Sequence, residues 1–212
     1  MNARTPLLAV CICLALSVSL AHAQSSTKTT TVTTKTKTVA PPMDPKVMEE
    51  MMAKAATPGP QHERLKKLVG EWNCTVSMMM DPSQPPQETK SIAVVTSLMD
   101  GRYFQEQDTG EMMGKPFLGQ GLTGYDNVMK KYVSTWIDNS GTGIMTSEGI
   151  PDATGNVITW TGWSSDPMSG KKTKYRMVTT FIDDNKHTFD MFGPGPGGKE
   201  SKMMTITYNR KM

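Results

Sequence analysis

The sequence predicts an all-β protein: an antiparallel up-and-down β-barrel of nine or ten strands, after one or two short helices. From Glu71 onward, apolar residues recur with a period of two, which is typical of strands with one buried face. Turn signals separate these segments at short intervals. Such a meander closes most easily into a barrel, because closure removes its exposed edges. A sandwich is the alternative, but its Greek-key topology needs a long crossover.

The N-terminus carries an export signal. Residues 7–20 form an apolar run after Arg4, and Ala21-His22-Ala23 has the small-x-small form of a signal peptidase site. The run is shorter than the roughly 20 apolar residues that span a bilayer, which favours cleavage over a membrane anchor. Residues 1–23 are therefore predicted to be a signal peptide. The mature protein is predicted to be periplasmic or secreted, with no transmembrane segment after cleavage.

A linker follows the signal. Residues 24–42 are rich in Thr and Lys and lack aromatic and large apolar side chains, which predicts a disordered, solvated tether. A weak basic contact with anionic lipid or cell wall is the alternative. The chain of 212 residues has a net charge of +3, with basic and acidic residues mixed along it. Nucleic-acid binding is not predicted, because it needs basic residues clustered on one face.

Residues 43–69 are predicted to form short helices that cover one end of the barrel. Asp44-Pro45 places an N-cap residue before a proline at the first helical position. Apolar residues then recur at helical spacing, and Thr57-Pro58-Gly59-Pro60 ends this helix. A second short helix is expected at about residues 61–68.

Residues 70–212 are predicted to be the barrel domain. The expected strands are residues 71–80, 88–99, 102–107, 117–125, 131–138, 144–148, 156–163, 173–182, 187–192 and 200–210. Asp100-Gly101 is a strong hairpin signal. Gly110 and Gly114 are expected to frame a loop, residues 149–155 to separate two strands, and residues 193–198 to form a flexible loop.

The stretch Gly70-Glu71-Trp72 resembles the start of the first strand in lipocalins and related calycins, where Gly-x-Trp follows a short helical turn. In those families an arginine near the end of the last strand packs across the tryptophan ring. Arg210 occupies that place here. The resemblance implies that Gly70, Trp72 and Arg210 close the barrel, since a guanidinium on an indole gains cation–π energy.

A second resemblance covers about residues 47–212. The motifs that carry it are Leu68-Val69-Gly70-Glu71-Trp72, Asp100-Gly101-Arg102, Gly124-Tyr125-Asp126-Asn127, Lys131-Tyr132-Val133 and Tyr208-Asn209-Arg210-Lys211. Together they are similar to the bacterial family DUF1579. That family is defined as a domain of unknown function, so the resemblance implies a fold and no activity.

The lumen is the candidate binding site. Aromatic and methionine side chains recur at alternate positions of the middle strands. The residues predicted to line the lumen are Tyr132, Trp136, Trp160, Tyr175, Met177 and Phe181. Such an interior suits a small apolar or aromatic ligand. The alternative is a barrel filled by its own side chains, serving as a non-catalytic structural or protein-interaction module of the cell envelope.

No catalytic, metal-binding or cofactor-binding constellation is predicted, and an enzymatic function is not favoured. His62, His187 and Cys74 lack the spacing of a zinc site. Structural roles are expected instead, with His62 capping a helix and Cys74 a buried, inert thiol. The 19 methionines could bind Cu(I). Neighbouring methionines in a strand point to opposite faces, however, which favours adaptable core filler or pocket lining.

Overall fold

A computed structural model describes residues 43–79, 83–167 and 169–212; the predicted signal peptide and linker lie outside them. Within the described residues, two helices precede ten strands. The elements are α1 Pro45–Ala56, α2 Pro60–Lys66, β1 Gly70–Met78, β2 Gln87–Leu98, β3 Tyr103–Met112, β4 Lys115–Asp126, β5 Lys131–Asp138, β6 Met145–Pro151, β7 Val157–Asp166, β8 Lys171–Asp183, β9 Lys186–Pro194 and β10 Glu200–Arg210. A short 3₁₀ turn, Pro196–Gly198, precedes β10.

The ten strands form one closed antiparallel barrel, as the sequence predicts. Each strand pairs with its neighbours in the chain, and β1 also pairs with β10. This closing ladder runs from Trp72 opposite Arg210 to Met78 opposite Met204. Closure leaves the described strands without an open sheet edge, so their backbone groups find partners within the ring.

Several strands are longer than the sequence pattern predicts. The loop expected between Gly110 and Gly114 is wrong, because β3 continues to Met112 and pairs there with Lys115 of β4. Only Met113 and Gly114 turn the chain, with φ angles of 53° and 74°. Positive φ at both central residues matches the twist of a two-residue hairpin.

Glycine in these strands marks close packing. A Cβ atom at Gly110 would lie 2.5 Å from the Cβ of Ser91 on the neighbouring strand. At Gly149, which the pattern placed between strands, a Cβ would lie 2.6 Å from the ring of Trp160. Both glycines therefore stay within strands because larger residues occupy the space beside them. A glycine that resembles a turn signal can equally be a packing requirement.

The two helices differ in how they meet the barrel. No residue of α1 is buried, and its apolar side chains, Met48 and Met52 among them, are exposed. Its C-terminal end is held by hydrogen bonds, since Asn127 Nδ2 donates to the carbonyl oxygens of Ala55 at 3.1 Å and Thr57 at 2.7 Å. No helix within the described residues is long and apolar enough to cross a membrane.

Helix α2 lies against the end of the barrel where β1 begins. His62 and Leu65 are buried there. His62 Nδ1 accepts a hydrogen bond from the Gly59 backbone N–H at 3.0 Å, which is the predicted capping role. Arg64 donates to Asn156 and Lys67 pairs with Asp184, both at 2.8 Å, so α2 is tied to the turns after β6 and β8.

Arg210 stacks on Trp72 at the same end of the barrel. The guanidinium Cζ lies 4.2 Å from the centre of the indole rings. Trp72 is 1% exposed, and its Nε1 donates to the carbonyl oxygen of Leu68 at 2.8 Å. The stack therefore joins the last residue of β10 to the start of β1 and to the segment after α2.

The same guanidinium binds three backbone carbonyls. It donates to Val69 at 2.8 Å, to Lys67 at 2.6 Å and to Asp184 at 2.9 Å. Gly70 has a φ of 136°, and a Cβ there would lie 2.6 Å from Arg210 Nη1. A side chain at position 70 would therefore displace the arginine.

Removing either partner of this stack is expected to destabilise the barrel. Trp72→Ala should lower the free energy of unfolding by roughly 3 kcal/mol or more, because it deletes a buried indole. Arg210→Lys keeps the charge but loses the planar fork, at a cost of about 1–3 kcal/mol. Urea denaturation measures both. The matched control is Arg102→Lys, whose guanidinium binds exposed carbonyls. A wild-type unfolding midpoint for Trp72→Ala would contradict the closing role.

Candidate ligand-binding cavity

A cavity of about 320 Å³ lies inside the barrel, and all ten strands contribute side chains to it. It reaches the barrel end opposite α2, since the last residues of β1 and β3, Met78 and Met112, line it. Its volume is at the lower end of the range for small-molecule pockets. A larger, shallow groove of about 480 Å³ crosses the outer surface beside Tyr103, Leu122 and Trp163.

One wall of the cavity is apolar and rich in methionine. Its members come from the second half of the barrel: Met145, Trp160, Met177, Phe189, Met191, Met204 and Ile206. Unbranched thioethers adapt to irregular shapes and make favourable contacts with aromatic rings. This wall therefore suits an apolar or aromatic molecule and does not impose one rigid outline.

The six side chains predicted to line the lumen occupy three kinds of place. Trp136, Trp160 and Met177 line the cavity. Tyr132 is 2% exposed and packs in the core, with ring centres 5.0 Å from Tyr125 and 6.0 Å from Trp160.

The remaining two lie apart from the cavity. Phe181 borders a smaller pocket of about 180 Å³ beside α2, where the Arg64 guanidinium lies 5.6 Å from its ring centre. Tyr175 is half-buried close to Gly193. Ligand binding by any of the six side chains stays a prediction.

The opposite wall holds two carboxyl groups that the sequence reasoning missed. Glu106 and Asp108 occupy alternate positions of β3 and both line the cavity. Phe104, 2% exposed, precedes them on the same face of the strand. The period of two, extended from Phe104, is the signal that could have placed both acids inside. Asp108 is 4% exposed, whereas Glu106 lies deep in the barrel with part of its surface facing the cavity.

Burial controls the protonation of this pair. Burial, and then the charge of Asp108, raise the pKa of Glu106 to about 7, although Glu106 accepts a hydrogen bond from Tyr208 Oη at 3.2 Å. Burial also raises the pKa of Asp108, and the nearby Ser91 hydroxyl opposes this rise. Glu106 therefore retains a substantial share of its proton near neutral pH.

Two polar atoms beside the cavity lack hydrogen-bond partners within the described residues. They are Asp108 Oδ1 and Ser91 Oγ, and both residues line the cavity. Ser91 is 9% exposed, and its hydroxyl lies close enough to Asp108 to oppose the rise in the pKa of that carboxyl, without meeting hydrogen-bond geometry. A buried polar atom without a partner costs about 1–3 kcal/mol. The wall that carries Glu106 and Asp108 thus offers unused acceptors to a molecule in the cavity.

The candidate metal ligands have structural surroundings. Cys74 is 1% exposed, and burial raises the pKa of its thiol to about 12, as expected of an inert cysteine. His187 stacks on Tyr208 with ring centres 4.1 Å apart, and burial lowers its pKa to about 3. In the part of the chain that the structure describes, no group of three or more His, Cys, Asp or Glu side chains could hold a metal ion.

These features define the class: a closed antiparallel β-barrel with an internal, two-sided cavity. The chain belongs to the family described as "Protein of unknown function (DUF1579)", which matches residues 57–210. Comparison with curated proteins finds no relative of significant sequence similarity.

Two solved structures are similar in fold. The crystal structure of Rv2717c from M. tuberculosis has a TM-score of 0.56 and 16% sequence identity, covering 74% of this chain and 100% of that chain. A redesigned beta barrel, b11L5F_LGL, has a TM-score of 0.38 and 15% identity, covering 69% of this chain and 94% of that chain. At 16% identity the likeness to Rv2717c shows the fold alone.

Glu106→Gln is expected to change how stability depends on pH. The pKa of Glu106 in the folded chain, about 7, exceeds its ordinary value of 4.5, so ionisation opposes folding as pH rises between these values. The variant should match the wild type near pH 4.5 and exceed its free energy of unfolding by up to about 3 kcal/mol at pH 8. Urea denaturation across this range measures the difference.

The matched control is Glu88→Gln, on the exposed outer face of β2. It should run parallel to the wild type at every pH. His187 adds an acid sensitivity of its own, which is common to all three proteins. If Glu106→Gln also runs parallel to the wild type, the carboxyl is not buried as described.

Proposed function

We propose that this protein is an exported, non-catalytic binding protein that holds a small, mostly apolar molecule in its barrel. The observation that supports the proposal is the cavity of about 320 Å³ with its aromatic and methionine wall. A volume of this size suits a ligand of roughly ten to twenty non-hydrogen atoms. The signal pattern of residues 1–23 supports placement in the periplasm or outside the cell.

A protein-interaction role is the second candidate, and a different surface favours it. The outer groove beside Tyr103, Leu122 and Trp163 exposes about 40% of each of these side chains. Apolar patches on a surface are one mark of partner binding. The cavity of about 320 Å³, however, argues against a purely structural module. A barrel filled by its own side chains would leave few voids larger than a water molecule.

A neutral fluorescent probe, N-phenyl-1-naphthylamine, tests the proposed lumen. The probe should bind the wild type with a dissociation constant in the micromolar range and quench Trp136 and Trp160 by energy transfer. Ser147→Phe should weaken binding at least tenfold, because position 147 lines the cavity and a phenyl ring fills it. Fluorescence titration measures both.

Thr146→Phe is the matched control, since residue 146 precedes Ser147 on β6 and its exposed side chain faces outward. It should bind the probe as the wild type does. Thermal melts confirm that both variants are folded. Equal binding by Ser147→Phe and the wild type would place the probe outside the lumen and overturn the proposal.

A further inference from the structure

We propose that the cavity selects an organic cation, with an ammonium group against Glu106 and Asp108 and an apolar or aromatic body against the methionine wall. This inference rests on the proposed function and adds the chemical class of the ligand.

The charged side chains that line the cavity are all acidic. Glu106, Asp108, Glu111 and Asp138 contribute carboxyl groups, and none of the described lining residues is Lys, Arg or His. The chain as a whole has a net charge of +3, so this acidity is local to the lumen. A cluster of like charges with no basic partner leaves a negative field in a confined space. That field favours a cation and opposes an anion.

The four acids lie at two depths. Glu111 is exposed and Asp138 is half-buried, both near the open end. Asp138 is oriented by the backbone N–H of Ser140 and by Trp136 Nε1, each donating at 2.9 Å. Acids at a mouth raise the local concentration of an approaching cation. The deeper pair, Glu106 and Asp108, lies where water screens the charge less and the attraction is stronger.

The unused acceptors suit an ammonium group in kind. A primary ammonium has three N–H donors and no acceptor. Asp108 Oδ1 and Ser91 Oγ are the buried acceptors without partners, and the Glu106 carboxylate lies on the same wall. A neutral hydrocarbon would leave these atoms unpaired, whereas an ammonium satisfies them. Trp136 adds an aromatic surface in the same cavity for cation–π contact.

Proton release accompanies binding in this arrangement. The groups that face Glu106 are Asp108 on its own strand, Cys74 on β1 and Tyr208 on β10. The charge of Asp108 raises the pKa of Glu106, and the hydrogen bond from Tyr208 opposes that rise. An incoming ammonium favours the ionised carboxylate, so the proton on Glu106 leaves to solvent. Affinity for a cation should therefore rise between pH 5.5 and pH 7.5, and affinity for a neutral analogue should not.

Three probes with the same naphthalene body but different charge test the inference: the cation 1-naphthylmethylamine, the neutral alcohol 1-naphthylmethanol and the carboxylate anion of 1-naphthaleneacetic acid. Calorimetric titration of the wild type at pH 7.5 should show the amine binding at least tenfold tighter than the alcohol, with no measurable binding of the carboxylate. Glu106→Gln and Asp108→Asn should each weaken the amine at least tenfold and leave the alcohol within about twofold. Glu88→Gln, on the outer face of β2, is the control for a charge change alone.

The outcomes separate the two levels of the proposal. If amine and alcohol bind the wild type equally, charge selection is wrong and the apolar binding site stands. If N-phenyl-1-naphthylamine binds but the amine does not, charge selection is again wrong. If no probe binds, the proposed function is wrong and this inference with it. If Asp108→Asn fails to fold, Glu106→Gln still tests charge selection, because glutamine removes the charge and keeps the size of the side chain.

Discussion

The stack of Arg210 on Trp72 is the interaction on which the rest of the barrel depends. It lies where the first and last strands meet, and its three bonds to carbonyl oxygens fasten the segment between α2 and β1. This end is occupied by α2 and the turns bound to it, and the cavity extends to Met78 and Met112 at the opposite end. The stack therefore lies where the β1–β10 ladder and the end covered by α2 meet.

The interior places opposing demands on stability. Ionisation of Glu106 costs stability as pH rises from its ordinary pKa of 4.5 to about 7. His187 acts in the other direction: its pKa falls from 6.5 to about 3 on burial, so stability is lost as pH falls through that range. Between pH 4.5 and 6.5 the two slopes oppose each other. A closed ring of paired strands tolerates such groups, because its own backbone hydrogen bonds do not depend on them.

The fold could be predicted from the sequence because its signals are local: a period of two, hairpin residues such as Asp100-Gly101, and the Gly-x-Trp motif. Alternation along β3 is enough to place Glu106 and Asp108 on the inner face, but their meeting with Ser91 and Tyr208 in one cavity depends on register between strands and could not be predicted. The third strand was predicted to end at Gln107, yet it pairs with both neighbours beyond Asp108. Depth along the barrel is also a register property. Alternation placed Phe181 on the inner side of its strand, but only the stagger of β8 brings it beside α2.

The methionine doublets show how one strand can serve two surfaces. Met204 lines the cavity while Met203 is 37% exposed, and Met112 lines it while Met113, in the turn, is 68% exposed. Each doublet thus gives the lumen one thioether, and several strands together give it a wall. Under the proposed function, the flexible thioethers adjust to the body of the ligand, whereas the carboxyl groups on β3 can carry only negative charge. Under that proposal, the lumen therefore discriminates charge more strictly than shape.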